Sequence, residues 1–272
     1  MGDNEHWIEG GQAKMKKPKI VFFDIDGTLF TKEMKMPVAT KKAIQAIKKD
    51  GIHVGIATGR APFMFETLQK ELEIDTYVGF NGSYVVLHGE VISKKPLSTE
   101  WLERLQREAQ ENEHPMVFLD GNSAAADTGN HEAVAESLGY LKMPYPPVQK
   151  DFYKNKEIYQ ALIFCNEKEE QMYRNTYRMF HFVRWHRYSI DILPFGQSKA
   201  EGIRSIVSHL GYSMEETAAF GDGLNDVEMI QEVGVGVAMG NAVDAVKESA
   251  DFVTTHVNED GIVNGLKKLQ LL

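Results

Sequence analysis

The chain has 272 residues, of which 43% are hydrophobic and 25% charged, and its formal net charge is -9. That length and balance predict one large or two moderate globular domains with a substantial core, and they exclude general disorder. The acidic balance leaves no basic footprint for an obligate nucleic-acid partner, although a few lysines, backbone N–H groups and a metal can still hold a small anion.

In chain order, residues 1–14 lack the apolar run of a signal peptide and read as an N-terminal extension or tag ahead of Met15. Lys19 to Phe23 is a short β-branched and aromatic run, the pattern of a strand buried on both faces of a parallel sheet. Thr40 to Lys49 sets Ala43, Ile44, Ala46 and Ile47 at helical spacing, with Asp50-Gly51 as a stop. Ile52 to Ala57 reads as a second buried strand. A helix over Ala61 to Glu71 and a strand over Tyr77 to Phe80 repeat the right-handed unit.

From about Asn81 to Ile190 the texture changes to short strands (Tyr84 to Leu87, Met116 to Leu119, Tyr159 to Phe164), helices rich in Glu and Gln, and the turn-forming stretch Met143 to Pro147. The single cysteine, Cys165, follows an apolar run there and reads as a buried structural thiol, with no internal disulfide or cysteine-based metal site open to it. Lys199 to Leu210 then reads as a helix, Thr217 to Phe220 as a strand, Asp226 to Val233 as a helix and Val235 to Met239 as a strand. The predicted fold class is α/β, a doubly wound parallel sheet over 15–82 plus 190–272 with an α+β domain inserted over 83–189. No apolar stretch reaches the ~20 residues of a membrane span, so a cytoplasmic protein without a membrane partner is expected.

In open α/β sheets, ligands bind beyond the carboxyl ends of the strands. Those positions carry Asp24-Ile25-Asp26-Gly27-Thr28, then Thr58-Gly59-Arg60, then Gly221-Asp222-Gly223-Leu224-Asn225-Asp226, with Lys199 opening the preceding helix. Asp24, Asp26, Asp222 and Asp226 form an all-oxygen set that suits Mg²⁺, which also holds substrate phosphate oxygens. Phosphoryl transfer needs an in-line nucleophile, charge neutralisation and a proton for the leaving group. Asp24 can attack, Asp26 can act as acid and base, and Thr58, Lys199 and backbone N–H groups can hold phosphoryl oxygens. Each piece alone is an ordinary turn, cap or surface charge; their joint occurrence at strand ends is what points to chemistry.

This pattern resembles the haloacid dehalogenase superfamily. Asp24-Ile25-Asp26-Gly27-Thr28-Leu29 is similar to its first motif, Thr58-Gly59-Arg60 to the second, Lys199 to the third and Gly221 to Asp226 to the fourth, and Gly234 to Ala242 looks like the segment that follows in Cof-type sugar-phosphate phosphatases. The resemblance implies a Rossmann-like core and an Mg²⁺-dependent phosphatase acting on a small phosphorylated metabolite. It implies that Asp24 is nucleophile and metal ligand, Asp26 acid/base with its backbone carbonyl on the metal, Asp222 a further ligand, Asp226 a support of the metal shell, and Asn225 a positioner of the phosphoryl group or Lys199. Thr58, Gly59, Arg60, Lys199 and Asn225 are the expected phosphate or substrate contacts, with a structural salt bridge an equal alternative for Arg60.

Only 31 residues separate Asp26 from Thr58, whereas 138 lie between Arg60 and Lys199. One crossover fills the first gap and cannot fill the second, so the inserted domain belongs there, as in the family's type-two caps, with Asn81-Gly82 as its lead-in. One departure is Lys199-Ala200 where family members commonly have Lys-Gly. Asp120-Gly121-Asn122, His131, His181, Trp185 and His186 are polar or aromatic candidates for the cap face, with packing or surface roles the alternative. A phosphotransferase or mutase using the same aspartyl-phosphate, and a non-catalytic phosphometabolite-binding module, remain open readings of these residues.

Overall fold

A computed structural model of the protein describes residues 16–272, so the extension read over 1–14 lies outside the described residues. The chain begins with β1 (Ile20–Phe23), α1 (Val38–Lys49), β2 (His53–Ala57), α2 (Glu66–Leu72), β3 (Tyr77–Gly79), β4 (Tyr84–Leu87) and β5 (Glu90–Lys94). There follow α3 (Thr99–Glu111), β6 (Met116–Leu119), β7 (Ala124–Ala126), α4 (Glu132–Tyr140), β8 (Gln160–Phe164), α5 (Glu170–Thr176), β9 (Phe180–His186) and β10 (Ser189–Pro194). Last come α6 (Lys199–His209), β11 (Thr217–Gly221), α7 (Val227–Glu232), β12 (Val235–Ala238), α8 (Asp244–Ser249), β13 (Phe252–Val253) and α9 (Gly261–Lys268).

Two compact units result: one of the described residues up to 60 with 66–93 and 198–272, the other of 61–65 and 94–197. The first holds an eight-stranded sheet in the order β13-β12-β11-β1-β2-β3-β4-β5. β1 lies inside it, parallel to β11 on one side and β2 on the other. All four β1 side chains are fully buried, which is why its sequence is a continuous apolar run and not an alternating one. Ile20 and Phe22 join Ala57, Val78 and Ala219 in packing onto Ile203 and Ile206 of α6 and Ile230 of α7. Facing the other way, the Phe23 ring stacks on Phe220 with centroids 5.1 Å apart.

The second unit is a five-stranded antiparallel sheet, β7-β6-β8-β10-β9. Alternate residues Met116, Phe118, Ala161, Ile163, Ile190 and Ile192 form one core with Leu102, Leu105 and Ala109 of α3 and Tyr173 of α5. Cys165 is buried in that core, and burial pushes its thiol up to about 12, as a structural cysteine requires.

The unit boundaries differ from the expected ones at 82/83 and 189/190. β4 turns back antiparallel onto β3 with Val85 opposite Val78, and β5 follows it at the sheet edge, so Tyr84–Leu87 belongs to the first unit. Ser189–Pro194 pairs with β8 and β9 and belongs to the second. Pairing partners, which local composition does not reveal, therefore move the boundaries to 93/94 and 197/198. The helix read over Ala61 to Glu71 is divided into a short 3-10 turn, Pro62–Met64, and α2. Among the described residues no helix is long and apolar enough to cross a membrane.

Candidate active site

Because β1, β2, β11 and β12 run parallel, their carboxyl ends share one edge of the sheet. Asp24 follows β1 directly and is 6% exposed. Lys199, 1% exposed, is the first residue of α6, whose preceding Ser198 caps the helix by accepting the Glu201 N–H. The Lys199 ammonium donates to Oδ1 of Asp24 and to Oδ1 of Asp226, each at 2.6 Å. The other Asp226 oxygen accepts the N–H groups of Asp222 and Gly223, both at 2.9 Å, so the turn after β11 wraps around this buried carboxylate.

Asp222 is fixed from two further loops. Its Oδ1 accepts from the Thr28 hydroxyl at 2.9 Å and its Oδ2 from the Asn241 amide at 3.3 Å. The same Asn241 nitrogen donates to the Gly27 carbonyl at 2.8 Å, and its oxygen accepts the Val257 N–H at 2.9 Å. Gly27 has φ +83°, and a Cβ there would lie 2.1 Å from Asp222 Oδ2, so only glycine lets the first loop close on the second carboxylate.

Ligand oxygens of Asp24, Asp222 and Asp226 lie within 4.8 Å of one another, and no other group of three potential metal-ligating side chains occurs among the described residues. Burial raises the Asp24 carboxyl well above its usual range, opposed by Lys199 and reinforced by Asp226, Asp26 and Asp222. Burial likewise pushes Asp222 up to about 7, against the Thr28 hydrogen bond. For Lys199 burial works downward, but Asp226 and Asp24 together carry its pKa above the ordinary lysine value. Three close carboxylates with one ammonium are a charge-deficient set that a hard divalent cation balances, and all its donors are oxygens, so the residues fit Mg²⁺. Asp226 has the least capacity to ligate it, since one of its oxygens takes the Lys199 ammonium and the other two N–H groups, whereas each Asp222 oxygen accepts a single hydrogen bond.

The fourth expected carboxylate lies elsewhere. Asp26 turns to Arg60, which grips it with Nε on Oδ2 at 2.8 Å and Nη2 on Oδ1 at 2.6 Å. The salt-bridge alternative for Arg60 is thus present. Thr58 is buried at the end of β2, its hydroxyl oxygen accepting the Arg60 N–H at 3.1 Å across Gly59. Exposed Asn225 donates through Nδ2 to Asn81 Oδ1 at 2.9 Å. Sequence reasoning gave no site role to Thr28, Asn81 or Asn241. The strand-end rule could have found Asn241, three residues past Ala238, where β12 ends.

In the second unit, Asp120 accepts the N–H groups of Asn122 and Ser123 and the Lys156 ammonium, which identifies Asp120-Gly121-Asn122 as a locked turn. His186 is held by Ser137 at 2.9 Å and lies beside Glu136. His131 precedes α4, and His181 and Trp185 lie on β9.

Comparison with known proteins bears on this geometry. A family model described as haloacid dehalogenase-like hydrolase matches residues 21–266. A Bacillus subtilis (strain 168) protein named "Putative phosphatase YkrA" is 45% identical over 93% of this chain and 98% of its own length. The 5-amino-6-(5-phospho-D-ribitylamino)uracil phosphatase YcsE of the same organism is 28% identical over 92% of this chain and 94% of its own. Among solved structures, the HAD subclass IIB sugar phosphatase BT4131 superposes with a TM-score of 0.82 at 33% identity, covering 93% of this chain and all of that one.

Proposed function

The chain belongs to the haloacid dehalogenase-like hydrolases, and on that premise we propose that it is an Mg²⁺-dependent phosphatase that hydrolyses small phosphomonoesters through an aspartyl-phosphate on Asp24. The observation that carries the reading is the Asp24–Lys199 pair inside a cluster of three carboxylates. A nucleophilic carboxylate at this site must be ionised in spite of burial, and the ammonium at 2.6 Å favours that form. Lys199 occupies Oδ1, which leaves Oδ2 as the attacking oxygen.

In the first step an Asp24 oxygen bonds to phosphorus while the ester oxygen departs and takes a proton from the Asp26 carboxyl. In the second, Asp26 takes a proton from water as the water oxygen bonds to phosphorus and the acyl-phosphate bond to Asp24 breaks, releasing inorganic phosphate. Lys199, Thr58 and Asn225 hold the phosphoryl oxygens through both steps. Both Asp26 oxygens are gripped by Arg60, so at least one must be released for Asp26 to serve as acid and base. Asp24, Asp222 and the Asp26 carbonyl would hold Mg²⁺, which would supply charge neutralisation at the phosphoryl group.

The names of two relatives support sugar phosphates and phosphorylated ribityl compounds as the leading candidate substrates. The test is phosphate release across a panel containing both classes, with Mg²⁺ and with chelator. Turnover should require the metal and fall by about 10⁴ or more in Asp24→Asn. Turnover retained in that variant refutes the nucleophile assignment.

A further inference from the structure

Three successive residues between β3 and β4 have left-handed backbone: Phe80 at φ +49°, Asn81 at +50° and Gly82 at +102°. Glycine adopts this conformation freely and asparagine tolerates it, but for a bulky phenylalanine it is an outlier that the surroundings must hold in place. Reversing the chain into an antiparallel strand does not need it, because a two-residue Asn-Gly turn suffices. Turn asparagines also usually face solvent, whereas Asn81 is 8% exposed.

What the strained turn does is touch three loops at once. The Phe80 N–H donates to the Arg60 carbonyl at 3.1 Å and the Asn81 N–H to the Thr58 carbonyl at 3.0 Å. Gly82 packs so closely on the residue before Lys199 that a Cβ would lie 2.1 Å from the Ser198 carbonyl oxygen. The Asn81 side chain accepts from Asn225 Nδ2 at 2.9 Å. Thr58, Lys199 and Asn225 are the three side chains assigned above to the phosphoryl oxygens, and each lies in, or next to, a segment the turn contacts.

We propose that Asn81 is a positioning residue, held left-handed by this turn so that its carboxamide fixes the exposed side chain of Asn225 beside the phosphoryl group. Asn225 Nδ2 carries two N–H bonds; one goes to Asn81 and the other is thereby aimed. The catalytic part of this inference rests on the phosphatase reading, while the positioning part rests on the geometry alone.

The test separates the two. Asn81→Gly keeps the left-handed backbone and removes the whole carboxamide, the acceptor included; Asn81→Asp keeps an acceptor, the side-chain volume and the backbone tolerance. The Asn225 side-chain amide resonance, assigned by its loss in Asn225→Ala, should move toward the free-amide position in Asn81→Gly and stay displaced in Asn81→Asp, with melting temperatures unchanged within about 2 °C. In kinetics, Asn81→Gly should lower kcat/KM by about tenfold and weaken product inhibition by inorganic phosphate similarly, yet cost less than about twofold when added to Asn225→Ala. An unmoved Asn225 resonance, or a loss that adds in full to Asn225→Ala, overturns the proposal. If the wild-type protein releases no phosphate from any ester, the phosphatase reading fails, and the resonance still decides whether Asn81 positions Asn225.

Discussion

Replacing Lys199 by methionine keeps most of the apolar stem and deletes the ammonium. The nitrogen lies in a fully buried side chain, 2.6 Å from one oxygen of Asp24 and one of Asp226, so the variant strands two buried carboxylates. Removing one partner of a buried ion pair typically costs 3–5 kcal/mol, against 0–1 kcal/mol for an exposed pair, so a loss of about 4 kcal/mol is expected at pH 8 without Mg²⁺. For a unit of this size that corresponds to a fall of roughly 8–16 °C in melting temperature. The sign of the pH dependence follows from Asp24, whose folded-state pKa is already raised. Such a group contributes its stability below the unfolded pKa and loses it as pH rises through the folded one, and without Lys199 the folded value rises further. The deficit of Lys199→Met should therefore shrink on acidification from pH 8 to pH 5.5, as protonation of Asp24 becomes more favourable. Thermal unfolding of wild type and variant at both pH values, with EDTA present, measures it. A deficit under about 1 kcal/mol at pH 8, or one that grows on acidification, refutes the assignment of Lys199 as the neutraliser of the carboxylate pair. Activity should fall by about 10²–10³ at either pH.

Three further outcomes follow from the same geometry. Asp222, pushed up to about 7 by burial, destabilises the metal-free protein as pH rises from about 4 to about 7. Mg²⁺ must displace that proton, so the rise in melting temperature on adding Mg²⁺ should be larger at pH 8 than at pH 5.5; equal increments would exclude Asp222 as a ligand. Gly27→Ala meets both a positive φ and Asp222 Oδ2 at 2.1 Å, and should lose about 1–3 kcal/mol in urea unfolding together with most of the Mg²⁺ affinity. Arg60→Ala breaks a pair whose Asp26 partner is half exposed, so stability should change by less than about 1 kcal/mol. Because Arg60 keeps the Asp26 carboxyl oriented through the oxygen that is not released, kcat should fall about tenfold with alkyl phosphates and less than twofold with an activated aryl phosphate, whose leaving group needs no proton.

The strand-end residues were legible in the sequence because a strand buried on both faces must be an apolar run, and the first polar residue after each run stands out. Asp24 after Phe23, Thr58 after Ala57 and Asp222 after Gly221 are all of this kind, and a parallel sheet necessarily gathers them at one edge. The boundaries of the inserted domain were misplaced for the complementary reason. Tyr84–Leu87 and Ser189–Pro194 are short strands whose composition is the same on either sheet; only their hydrogen-bonded partners, β3 in one case and β8 and β9 in the other, assign them.

Sequence alone thus singled out the polar groups at the strand ends: which carboxylates, which lysine, and the order in which the strands deliver them. Tertiary structure decided how those groups are shared. Lys199 reaches Asp24 across 175 positions of sequence, Asp26 faces Arg60 and not the acidic cluster, Asn241 ties Gly27 to Asp222, and Asn81 meets Asn225. These are contacts between loops brought together by strand register, and a hydrogen bond at 2.6–2.9 Å is set by angles and fractions of an ångström that no local pattern of residues encodes.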